Sequence, residues 1–224
     1  MRENIDIIER HQKSLPGNAP LNCKMCPRLV KFRNSNIEKF PEYFNGPVPA
    51  FGTKDAEILI VGLAPGLKGA NRTGRPFTGD YAGDLLYPTL LKFDFAKGEY
   101  GSRIDDGLSM HKAMITNAVR CVPPQNKTIG EEETNCRPFL IEQIEKTPSI
   151  KIILALGGVA HNAVLSTYGE KKSAFKFAHN QTHALSNGLK LIDSYHCSRY
   201  NTNTGRLTTE MFEDVFKNIQ ELLG

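Results

Sequence analysis

The residues able to do chemistry fall into two groups. The first is the cysteines, five in all, at positions 23, 26, 121, 136 and 197. Cys23 and Cys26 form a C-x-x-C within LNCKMCPRL, whereas Cys121 and Cys136 lie far apart from it and from each other. The charged start, MRENIDIIERHQK, has no apolar signal core, so a cytoplasmic, reducing setting is expected. There an odd number of cysteines suggests metal or cluster ligation before disulfides. Four sulfurs suffice for zinc or for an iron–sulfur cluster. A zinc ribbon would usually show a second C-x-x-C, and scattered ligands suit a cluster better; buried, unligated thiols are the plain alternative. The second group lies in three loops. GLAPGLKGANRTGRPFTGDY, Gly62 to Tyr81, carries Arg75, Phe77 and Asp80. It is neither a P-loop nor a dinucleotide fingerprint. TNAVRCVPPQNK carries Asn117, and SYHCSRYNTNTGRLT carries His196, Arg199, Tyr200 and Arg206. Amide, imidazole and guanidinium groups of this kind can hydrogen-bond a flat polar heterocycle or a phosphate.

The elements that must position these loops are legible as four short apolar runs: AEILIV (56–61), AMITNAV (113–119), IKIILALG (150–157) and LKLIDSY (189–195). Each reads as a strand covered on both faces. Helix-like segments at 82–93, 130–146, 157–167 and 208–223 alternate with them, the last behind a possible Thr208 N-cap. The pattern predicts a three-layer α/β/α sandwich around a central four-stranded parallel sheet, with ligands beyond the carboxyl ends of its strands. The segment GGVAHN after the third run reads as strand-to-helix packing glycines. An amphipathic helix is expected over 2–13, with Ile5, Ile7, Ile8 and His11 inward. A cysteine segment follows at 21–33, then a long loop at 34–54. The chain reads as one domain, 1–224, with an N-terminal cluster-binding segment to about residue 54. A net charge of +4 is compatible with nucleic acid without demanding it. No run of 18 apolar residues is present, and no membrane span is expected.

The loop G-L-A-P-G, the segment G-R-P-F-T-G-D, N-A-V-R-C, and H-x-S-x-x-N-T-N-T-G-R-L-T together resemble the uracil-DNA glycosylase superfamily, most closely its family 5, the type B enzymes. The resemblance runs from Cys23 to about Thr208. It implies a 4Fe–4S cluster on Cys23, Cys26, Cys121 and Cys136, and hydrolytic removal of uracil from DNA to leave an abasic site by a monomeric repair enzyme. Two departures stand out. Cys197 replaces a proline usual in the family, and Leu63 stands where family 4 enzymes carry an acidic residue.

Under that reading the target nucleotide must be flipped from the duplex. Phe77 is then the candidate to stack on the base and Asn117 to meet its Watson–Crick edge. His196 would donate to the base oxygen as negative charge grows there. Asp80 would stabilise the sugar cation or orient water, with a helix N-cap as its ordinary alternative role. Backbone groups of Gly62, Ala64 and Gly66 complete the base site. Arg75, Arg199 and Arg206 are expected on phosphates, with Arg199 or Tyr200 filling the vacated stack. Leu63 offers no polar check against hypoxanthine and other deaminated bases. The competing readings are a non-catalytic iron–sulfur protein that binds DNA and senses redox state, and a zinc-stabilised metabolic hydrolase.

Overall fold

The structure, a computed structural model, describes residues 2–224, with side chains described from Asp6 onward. Its centre is a sheet in the order β1-β5-β2-β6-β8-β7. The four expected runs are β2 (Ile58–Gly62), β5 (Ala113–Asn117), β6 (Ile152–Leu156) and β8 (Lys190–Ser194), all mutually parallel. The sheet is six-stranded rather than four-stranded. Two short antiparallel strands, β1 (Phe51–Gly52) and β7 (Thr182–Ala184), extend its edges. One is two residues long and the other is THA, so neither carries the apolar run that marks a strand buried on both faces. A separate ribbon joins β3 (Ala96–Lys97) to β4 (Ser109–Met110).

Alternation along the strands divides the core. Ile58, Ile60, Ile115, Leu154 and Ile192 face α4 (Tyr81–Lys92) and α8 (Thr209–Leu223), meeting Leu86, Leu90, Phe212 and Phe216. Leu59, Val61, Met114, Ile153 and Leu191 face α5 (Gly130–Glu145) and α6 (Gly158–Thr167), meeting Leu140, Ile144, Val164 and Leu165. Period-two alternation puts neighbours on opposite faces, and both faces are apolar because both are covered by helices. Helix α8 begins where Thr208 accepts from the Met211 N–H at 3.1 Å. No helix is long and apolar enough to cross a membrane among the described residues.

The amino-terminal part departs from expectation in one element. Helix α1 (Arg2–Ser14) forms with Ile8 buried, Ile7 and His11 half-buried, and Ile5 outside the described side chains. Helix α2 (Pro27–Lys39) then runs into the stretch read as loop from residue 34. Pro27 suits its first turn. Its buried face is Leu29, Arg33 and Asn36, two of them polar, so no apolar period betrays it. Arg28 clamps α2 to α5 by a forked pair to Glu132, at 2.7 and 2.8 Å. The two remaining short helices are α3 (Ala70–Thr73) and α7 (Arg199–Asn203).

Candidate active site

Strand β2 lies between β5 and β6, and the chain passes from β2 to β5 and then back across to β6. This is the point of an open parallel sheet where a crevice forms outside the strand ends. A cavity of about 720 Å³ occupies it, walled by Ala64, Gly66, Asp80, His196 and Arg199 among others. Five of the residues singled out, from two separate loops, therefore converge.

Asp80 caps a helix and also faces the glycine loop. Its backbone is extended at the N-cap of α4, and Oδ1 accepts from the Gly83 N–H at 3.4 Å. The other oxygen turns toward the glycine loop: a β-carbon on Gly66 would stand 3.2 Å from Oδ2, and one on Gly69 would collide with it. Burial raises the carboxyl pKa above its ordinary value, against the lowering effect of the Gly83 and Ala82 N–H groups.

Behind this wall Gly62, Phe77, Asn117 and His196 meet. A β-carbon on Gly62 would lie 2.5 Å from both Asn117 Oδ1 and Phe77 Cζ, so only glycine lets the amide and the ring approach β2 this closely. Phe77 is held at φ +51°, an unusual backbone for a phenylalanine. The ring centroids of Phe77 and His196 are 5.9 Å apart. Asn117 ends β5 and is 3 % exposed. His196 lines the cavity, and its Nδ1 is buried without a partner among the described residues. Burial drives the His196 pKa down to about 4, so the ring is neutral at physiological pH. Cys197 beside it is fully buried in the main core, and burial pushes its thiol pKa up. It packs as a small hydrophobe where the family resemblance expects proline.

The arginines separate. Arg199 is exposed on the cavity rim and lies over the Tyr81 ring at 5.4 Å, with Tyr200 72 % exposed next to it. Arg206 is exposed over Tyr195 at 4.6 Å. Arg75 corrects the expectation of a phosphate contact. It is fully buried, forks onto Asp106 at 2.8 and 2.7 Å, and lies against the rings of Phe51, Tyr87 and Tyr100. Its place in a Gly/Pro-rich loop gave no sign of this, because the partner is 31 residues away.

Other wall residues were not singled out. Gly157, Gly158 and Val159 line the cavity, so GGVAHN is part of the site and more than packing. Gly157 takes φ +97° where β6 ends, opposite His196. Its position at a strand's carboxyl end was the available signal. Lys68, Asn126 and Ser198 also face the cavity.

Cys23, Cys26, Cys121 and Cys136 line a second cavity, between α2, α5 and the segment after β5, walled by Leu29, Val119 and Phe139. None is in a disulfide. Hydrogen-bond donors point at three of the sulfurs: the Arg120 N–H at Cys136 (3.3 Å), Asn135 at Cys26 (3.8 Å) and Arg33 at Cys121 (3.9 Å). Among the described residues the set with three ligand atoms within 4.8 Å of one another is His161, His183 and Asp193. The four cysteines, with donors aimed at three of their sulfurs, suit thiolate ligation of a metal or cluster.

His161, which the loop pattern gave no reason to single out, is instead part of that buried network. Its Nδ1 lies 2.7 Å from Asp193 Oδ1 and its Nε2 lies 3.0 Å from the Phe175 carbonyl, while His183 lies 3.0 Å from Asp193 Oδ2. The network ties α6 and β7 to β8.

A mostly parallel sheet covered on both faces, with an amide, an aromatic ring, an imidazole and a carboxylate gathered at its switch point, defines an α/β protein with a polar crevice beyond its strand ends. Residues 49–220 match the uracil DNA glycosylase superfamily, and the chain belongs to that family. It is 42 % identical over 207 residues to the type-5 uracil-DNA glycosylase of Thermus thermophilus, covering 90 % of this chain and 94 % of the relative. It is 38 % identical over 204 residues to the type-5 enzyme of Pyrobaculum aerophilum, covering 89 % and 88 %. The type-4 uracil-DNA glycosylase of Sulfurisphaera tokodaii is 32 % identical over 208 residues, covering 90 % and 80 %.

Proposed function

We propose that the protein is a monofunctional uracil-DNA glycosylase of base excision repair, a hydrolase that flips uracil from DNA and cleaves its N-glycosidic bond. Carrying this reading is the convergence of Asp80, His196, Phe77 and Asn117 at one end of the sheet in a chain of this family. The base stacks on Phe77 and pairs through the Asn117 amide. As the bond breaks, electrons pass to the base and positive charge grows on the sugar. Neutral His196 donates to the base oxygen, a donor already fixed in a dry wall and needing no reorganisation. Ionised Asp80 faces the sugar and orients water for attack on its anomeric carbon. Arg199 and Arg206 meet phosphates, and Tyr200 is placed to fill the gap in the stack. Leu63, in the cavity wall, supports acceptance of hypoxanthine as well as uracil.

Cys23, Cys26, Cys121 and Cys136 would hold a 4Fe–4S cluster. Bound there, it supplies cross-linking of the amino-terminal segment to the sheet. The test is single-turnover release of base from oligonucleotides carrying uracil, hypoxanthine or xanthine, read as strand breakage after alkali. Uracil release that is lost in Asp80→Asn supports the reading, and a wild-type protein that binds but never cleaves any of the three refutes it.

A further inference from the structure

Arg120, the arginine of N-A-V-R-C, is one of the two largest fully buried side chains and is 1 % exposed. The other, Arg75, shows how this fold accommodates a buried guanidinium: a forked carboxylate and three aromatic faces. Arg120 has neither. Its Nη2 donates to the Gly17 carbonyl at 3.2 Å and to Gln143 Oε1 at 2.8 Å, both neutral acceptors. Its Nε and Nη1 are buried with no partner. A buried cation without a counter-charge is costly, by several kcal/mol for an ion of this kind. The compensating anion has to come from what the arginine adjoins. Arg120 lines the same cavity as Cys23, Cys26, Cys121 and Cys136, and its own N–H donates to Cys136 Sγ. Arg33, 8 % exposed, approaches Cys121 from the opposite helix and donates to the Cys23 carbonyl at 2.9 Å.

We propose that Arg120 is the buried counter-charge of the cysteine-held cluster and a determinant of its reduction potential, with Arg33 as a lesser second. The inference rests on the cluster reading above. Four metal-bound thiolates leave a cluster with net negative charge, and its potential follows local charge, hydrogen bonding to sulfur and exposure. A fixed positive charge in a dry wall favours the state that has gained an electron. Arginine suits this role because it keeps its charge and several donors in a planar frame.

The experiment uses anaerobically purified whole protein. Iron and sulfide are measured, and the midpoint of the one-electron couple is read by potentiometric titration for wild type, Arg120→Met and Arg120→Lys. Circular dichroism checks folding. Arg120→Met is expected to make the cluster harder to reduce by at least tenfold in the reduced-to-oxidised ratio at fixed potential, which is 59 mV for one electron. Arg120→Lys is expected to stay within that margin. Loss of iron in the Met variant alone equally supports a charge requirement. A Met variant with full iron and the wild-type midpoint overturns the proposal. So does an equal shift, or equal loss of iron, in both variants, since packing and not charge would then be at stake. Wild-type protein without iron would instead refute the cluster reading itself, a separate result.

Discussion

Asp80 divides its two carboxylate oxygens between a helix cap and the glycine loop. Oδ1 caps α4 while Oδ2 faces the glycine loop, and burial raises its pKa. A carboxyl whose folded pKa exceeds its unfolded value favours folding below the unfolded value, and that benefit is lost as pH rises through the folded one. At neutral pH its ionised form is therefore a stability cost. Asp80→Asn keeps a good cap and removes the charge. It is expected to cut single-turnover cleavage by about 10²–10³ with near-normal DNA affinity, as for loss of a preorganised electrostatic group. Its thermal midpoint at pH 7 should equal or exceed wild type. A wild-type cleavage rate would leave Asp80 as a cap alone. The opposite sign holds for His196. With its pKa lowered to about 4, the unfolded chain binds the extra proton first as pH falls, so stability drops from about pH 6.5 toward 4. His196→Asn should flatten that slope in pH-dependent denaturation curves while slowing uracil release. The sequence picks out Asp80 and His196 from polar loops after buried strands and Asn117 from a strand's carboxyl end, and the structure brings all three to one end of the sheet. Arg75 was not legible in this way, because a charged side chain in such a loop reads as exposed until Asp106 and three rings are seen around it.

At the scale of elements, a buried ion pair holds the loop that carries Phe77 and Asp80. Arg75 and Asp106 fix the opening loop, and Tyr100 donates to the Phe77 carbonyl at 3.3 Å, steadying a backbone that is otherwise disfavoured. Burial alone would raise the Asp106 carboxyl pKa, but Arg75 and the Leu108 and Gly101 N–H groups hold it below the usual range. Removing one partner of such a pair typically costs about 3–5 kcal/mol, because the remaining charge is stranded. Asp106→Asn should therefore lose stability on that order in urea unfolding, with wild-type salt dependence of DNA binding. The four parallel strands and the helices after them were readable from apolar runs and their spacing. Helix α2 was not, since its inward face is Leu29, Arg33 and Asn36, and the edge strands β1 and β7 were too short or too polar.

Across the whole molecule, the cysteine cavity and the base cavity share a wall. Ala64 lines the base cavity and packs against the cluster of Leu29, Val119 and Cys136. The strand pairing of β2 with β5 also continues past both ends: the Ala118 N–H donates to the Gly62 carbonyl at 2.8 Å and the Val119 N–H to Leu63 at 2.9 Å. A cluster on the four cysteines would thus brace the backbone of the base loop, while Asn117 ends β5, His196 follows β8, and Phe77 is steadied in its loop by Tyr100. This division separates the effects of two kinds of change. Arg199→Ala and Arg206→Ala should each weaken binding across sequences and lower the salt slope by about one unit, whereas Arg75→Ala should destabilise the fold with the slope intact. Cys136→Ala should lose iron and colour, lower thermal stability and reduce the cleavage rate, yet leave the ratio of uracil to hypoxanthine release near wild type. On the proposed reading the ratio depends on groups on β2, β5 and the loop after β8, which would keep their support with the cluster gone. Iron content, melting and single-turnover rates on both bases measure this together. A changed ratio with an unchanged rate would mean that the cluster shapes base selection directly, and the shared wall at Ala64 would then be the place where it does so.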